Sequence, residues 1–192
     1  MKFRDISAII IGTIGAAVLV SPSQAAITVL GTGMASNCYQ AAEFGGDAKA
    51  GVATCTGALD ETLSVLDRAA TYVNRGILEA RIEASKDALA DYNTGLKLRP
   101  SLAEAYVDRG ATFIAMRRYA EALQDIDKGI GLGARQPEVA YYDRAIAHEG
   151  VGDVRAAYED YKKALEIQPN FALAADQLTR FKVVKKPTSG GV

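Results

Sequence analysis

The chain has 192 residues, a formal net charge of −1, and 22 basic against 23 acidic residues. This balance leaves no basic stretch to grip nucleic acid, and the length suits one domain. Two cysteines and a single histidine are too few to complete a zinc shell.

Residues 1–25 open with Lys2 and Arg4, continue through the apolar stretch "ISAIIIGTIGAAVLV", and end in "SPSQA". Ser23 and Ala25 are the small residues that a signal peptidase needs, and the apolar stretch falls short of the roughly 20 residues that span a bilayer. This reads as an export signal removed after Ala25; an uncleaved anchor is the alternative. Without Lys2, Arg4 and Asp5 the mature chain keeps 20 basic and 22 acidic residues, and no later segment can cross a membrane. The expected location is periplasmic or secreted.

Residues 26–68 come next, a helix pair with its linker. Gly46-Asp47 marks a turn, and the chain on either side follows, in worn form, the pattern of the copies further on. Cys38 and Cys55 form an even pair, which in an exported chain points to a disulfide rather than to a metal.

From residue 69 the chain repeats itself. "YVNRG" at 72–76 returns as "YVDRG" at 106–110 and as "YYDRA" at 141–145, at intervals of 34 and 35 residues. Arg75, Arg109 and Arg144 align, followed by Gly76, Gly110 and Ala145. Further on align Ala88, Ala122 and Ala157, then Asp91, Asp125 and Asp160, then Gly95, Gly129 and Ala164. Pro100 and Pro169 close the first and third copies. The second has Ala134 at this place and Pro137 beyond it, so the extra residue lies in a turn, where insertion is tolerated.

A 34-residue period with small, aromatic and proline positions in this order resembles the tetratricopeptide repeat, over about 69–171. The resemblance implies an all-α, right-handed superhelical solenoid of antiparallel helix pairs, A and B. It has three repeats (69–102, 103–137, 138–171), a degenerate N-terminal pair, a capping helix at 172–182 and a flexible tail at 183–192. On this frame Cys38 and Cys55 occupy facing positions on helices A and B of the first pair. Small residues at the eighth and twentieth positions bring the two axes together. Ser64-x-x-Asp67 and Ser101-x-x-Glu104 read as capping boxes, and Asn170 as a cap for the last helix.

Arg75, Arg109 and Arg144 on helix A lie opposite Asp91, Asp125 and Asp160 on helix B. A recurring structural ion pair is the expected role, in preference to an anion-binding ladder. His148 reads as a packed, hydrogen-bonded residue rather than a catalytic base. No triad, metal cluster or cofactor fingerprint is present in the pattern, and no enzyme activity or cofactor is expected.

The resemblance also implies that helix A lines a concave groove. Its middle strip is Val73, Asn74 and Ile77, then Val107, Asp108 and Ala111, then Tyr142, Asp143 and Ile146. Of the residues that clamp a carboxylate in such repeats, only Asn74 is matched. A peptide or protein segment, apolar or mildly basic, is the expected ligand, with Tyr142 as its anchor. The expectation is a scaffold for protein–protein interaction. Self-association as a homo-oligomer and small-molecule binding are the alternatives.

Overall fold

In the computed structural model, residues 6–10, 25–29 and 33–185 are described. A first strand, β1 (Ile6–Ile10), is followed by α1 (Met34–Phe44), α2 (Ala48–Leu59), α3 (Val65–Arg81) and α4 (Ser85–Leu98). Then come α5 (Ala103–Ala115), α6 (Tyr119–Gly131), α7 (Pro137–Gly150), α8 (Val154–Ile167), α9 (Ala172–Leu178) and β2 (Phe181–Lys185). The helices from α1 to α8 form four antiparallel hairpins, and each hairpin packs on the next to build an all-α superhelical solenoid.

Side chains too small to hold the helices apart set this packing. Gly129 in α6 lies against α5, where an added Cβ would stand 2.5 Å from Val107 Cγ2 and 2.9 Å from the carbonyl oxygen of Ala103. Only a hydrogen fits there. Gly51 on α2 is a close contact as well, where a Cβ would stand 3.2 Å from Ala41 Cβ in α1 and 2.9 Å from Leu78 Cδ1 in α3 of the next hairpin. The worn pair at 33–60 is therefore a packed unit, and Cys38 and Cys55 are bonded across it.

The aligned arginines tie the hairpins together. Arg75 donates from Nε and Nη2 to the two carboxylate oxygens of Asp91, at 2.6 and 2.9 Å. Arg109 grips Asp125 in the same way at 2.6 and 2.7 Å, and Arg144 grips Asp160 at 2.8 Å twice. The remaining Nη1 reaches back to the B helix of the preceding hairpin. It meets Thr56 at 3.0 Å, Asn93 at 2.6 Å and Asp127 at 2.6 Å, respectively. Each guanidinium also lies over the tyrosine three residues before it, 5.0–5.6 Å from the ring centre. One side chain thus closes its own hairpin and fastens it to its neighbour.

Three sequence expectations give way at the helix ends. Ser64 caps α3 through the Asp67 amide, but Ser101 caps nothing: α5 starts at Ala103 behind Leu102, and Glu104 bonds Arg135 instead. Asn170 likewise makes no cap, since Phe171 occupies that position before α9. The last helix ends at Leu178 rather than 182. Arg180 reaches Glu149 at 2.5 Å, and Phe181 packs its ring 5.7 and 6.0 Å from those of Tyr158 and Tyr161. Those anchors pull the chain out of the helix, and the β-branched Val183 and Val184 suit the strand that follows. Residues 183–185, expected as the start of a loose tail, instead belong to β2, which pairs antiparallel with β1. Of residues 1–25, expected as a leader, 6–10 are this partner strand; 1–5 and 11–24 lie outside the described residues, as do 186–192.

Candidate functional site

Asn74 on α3, Asp108 on α5 and Asp143 on α7 hold the same position in successive repeats. Stacking the hairpins therefore sets their side chains in one file. The segment Ala25–Val29, without regular secondary structure, meets this file at Asn74 through Ile27 and at Asp108 through Ala25. Asn74 accepts a hydrogen bond from the Ile27 amide at 2.7 Å and donates from Nδ2 to the Ile27 carbonyl at 2.8 Å. The pair of bonds recognises an extended backbone whatever its side chain. Buried with no exposure of its own, Asn74 has its amide fixed for this contact. One residue earlier, the Ala26 carbonyl accepts from Arg135 Nη2 at 2.7 Å, while Arg135 Nε donates to Glu104 at 3.0 Å.

Beyond Asn74 the file turns acidic. Asp108 and Asp143 are each 2% exposed, and Asp108 Oδ2 and Asp143 Oδ1 have no hydrogen-bond partner. Burial pushes the Asp108 carboxyl well above the usual range, with Asp143 and Glu104 adding repulsion. Burial alone lifts Asp143 to about 8. Each thus holds one oxygen out of water without a partner, an arrangement that favours a cation or a hydrogen-bond donor beside it. A small pocket next to Asp108 is lined by Ala25, Glu104, Val107 and Gln136 among others.

The remaining expected groove residues divide. Val73 and Val107 point beneath the B helices, where their Cγ2 atoms face Gly95 and Gly129; Val107 also borders the pocket. Ile77 and Ile146 are buried in the two main core clusters, and Ala111 is buried as well. Tyr142, expected as the ligand's anchor, is 3% exposed and packs with its ring centre 5.6 Å from that of Tyr161 and 5.5 Å from that of Phe171. The turn into α9 brings Phe171 onto it, so Tyr142 belongs to the core and not to a docking face. His148 Nε2 lies 3.8 Å from Asp160, beside the Arg144 fork, and its Nδ1 has no partner, so the expected hydrogen bond is not made there.

Sequence reasoning missed Glu104, Arg135 and the segment 25–29. Arg135 stands in the one turn that is a residue longer than its counterparts, and that extra length was the available signal. Among the described residues no helix is long and apolar enough to cross a membrane, and no group of three or more acidic, cysteine or histidine side chains could hold a metal ion.

Residues 139–171 match the family model for the tetratricopeptide repeat. Human sperm-associated antigen 1 is 28% identical over 107 residues, 54% of this chain and 11% of that protein. The chain spans only 11–14% of the length of the curated relatives it matches. Among solved structures, MamA superposes with a TM-score of 0.64 at 19% identity, covering 78% of this chain and 82% of its own. The first such domain of Spaghetti (RPAP3), bound to an HSP90 peptide, gives 0.55 at 22% identity, covering 58% of this chain and 87% of that one.

Proposed function

We propose that this tetratricopeptide-repeat chain is an exported scaffold that binds an extended segment of a protein partner in its concave groove. Its role is assembly or regulation of an envelope complex, and it carries no reaction of its own. One observation carries the reading: the buried Asn74 amide grips both backbone groups of Ile27, a residue outside any helix or strand. Main-chain bonds of this kind accept many sequences, and the side chains around them select. The peptide complex of the structurally similar Spaghetti domain supports the same use of the fold. The ligand differs in charge, however. Asp108 and Asp143 offer an acidic tail no cation to pair with, whereas a cation or hydrogen-bond donor beside them would be favoured, so the preferred segment is neutral or basic. Export is supported by the leader pattern and by the bonded cysteines, since disulfides persist in oxidising compartments.

The test is a screen of immobilised neutral, basic and acidic peptides, followed by titration of the binders against wild type and Asn74→Ala. Loss of tenfold or more in affinity with unchanged melting is expected. Binders indifferent to Asn74→Ala, or a preference for acidic peptides, would refute the reading.

A further inference from the structure

The segment lying in the groove contains Ala25 and Ala26, the two residues between which the leader is expected to be cut. Cleavage after Ala25 hydrolyses the Ala25–Ala26 amide: water is added, Ala25 departs with a carboxylate, and the Ala26 nitrogen keeps the second fragment as an amine that takes up a proton at neutral pH. We propose that the new ammonium of Ala26 is bound by Asp108 and Glu104, which seats the mature N-terminus in the groove as the chain's own plug. The proposal rests on the export reading above.

Three contacts fix where that nitrogen stands. Ala26 is fully buried, its carbonyl is held by Arg135, and the following residue is gripped at both backbone groups by Asn74. Ala25, the residue that cleavage removes, lines the pocket shared with Asp108 and Glu104. Its departure opens the nitrogen onto that space. An ammonium brings three donors and no acceptor, and Asp108 Oδ2 is an acceptor lacking a donor.

The surrounding charges favour the same occupant. The acids acting on this place are Asp108 and Glu104 on α5 and Asp143 on α7; the cations are Arg81 at the end of α3 and Arg135 after α6. The Tyr92 phenol on α4 lies within the influence of Asp108 but is pushed further from ionising. Arg81 is engaged with the carbonyls of Ala41 and Ala42, and Arg135 with Glu104 and Ala26. Burial and the neighbouring acids disfavour the charged form of Asp108, and an ammonium beside it supplies the counter-charge that Arg81 and Arg135, engaged elsewhere, do not. A partner peptide must then displace the plug, so its apparent affinity is set partly by how firmly the chain holds its own terminus.

The protein recovered after export is first sequenced from its N-terminus, and the Ala26 amine is then titrated by pulse labelling read by mass spectrometry. The expected result is an apparent pKa at least one unit above the ordinary value of about 8. Labelling at neutral pH should be tenfold or more slower than in a free peptide of the same sequence. Asp108→Asn, nearly isosteric, should return both values toward those of the peptide. An amine that titrates and labels as in the peptide overturns the proposal from wild type alone, whatever the variant does, and leaves the groove reading standing. A chain not cut after Ala25 overturns the export reading and this proposal together.

Discussion

Gly129→Ala tests the close approach of the two helices within a repeat. On an exposed helix face this change stabilises by about 0.5–1 kcal/mol, because alanine loses less backbone entropy. Here the new methyl would lie 2.5 Å from Val107 Cγ2 and 2.9 Å from the Ala103 carbonyl oxygen. Neither can step aside. A helical valine is held to one rotamer, and the carbonyl belongs to the α5 backbone. Overpacking of this kind costs about 1–3 kcal/mol, so the sign reverses and a net loss of about 1–2 kcal/mol remains. Thermal unfolding followed by circular dichroism should show Tm falling by about 2–8 °C for a chain of this size. Gly131→Ala is the matched control two residues on, where nothing stands within 4 Å of an added Cβ. It should be neutral or stabilise by up to about 1 kcal/mol. Equal effects at the two positions, or a rise in Tm for Gly129→Ala, would refute steric nesting as the basis of the fold.

Arg109→Ala leaves the buried Asp125 carboxylate alone and should cost about 2–4 kcal/mol in a reversible denaturant titration, with Arg109→Lys a poor rescue because a point charge cannot fork. Replacing Cys38 and Cys55 together by serine should lower stability by about 3 kcal/mol, as expected from loop closure, and the loss should vanish when wild type is measured under reducing conditions. Glu79 is raised to about 7, by burial first and then by Asp91. The folded chain therefore holds a proton that the unfolded chain releases, and stability should fall as pH rises from about 4.5 to about 7. Glu79→Gln should flatten that slope and gain about 1–3 kcal/mol at pH 8, read by Tm across a pH series.

The packing was legible in the sequence because each of its constraints falls on a residue type that announces itself. A close contact demands glycine or alanine, and an ion pair demands arginine facing aspartate. Both recur with the repeat, so three copies mark Gly129 and Arg109 without any structure. Even the worn first pair kept Gly51 and its two cysteines. The groove was only partly legible. Asn74, Asp108 and Asp143 were found because they share a repeat position, but the segment that meets Asn74 was not: Ala25–Val29 is apolar except for Thr28 and lies outside the period. Tyr142 was misplaced for a related reason. Its repeat position, shared with Val73 and Val107, points toward the B helix rather than into the groove, and there Tyr161 and Phe171 pack against it. Ser101 and Asn170 have capping chemistry, yet the turns before α5 and α9 place Leu102 and Phe171 there instead.

Because each guanidinium holds an aspartate of its own hairpin with two nitrogens and the hairpin before it with the third, no unit can open without unfastening the one upstream. Stacked repeats ordinarily melt from their ends, losing one segment after another. Here the fastening runs through Arg75, Arg109 and Arg144 from Thr56 to Asp160, so fraying at the last hairpin must pull against the middle of the array. Amide exchange along α4 and α6 should accordingly occur in one concerted opening, and a groove borne on three locked helices keeps its shape when a partner is pulled from it.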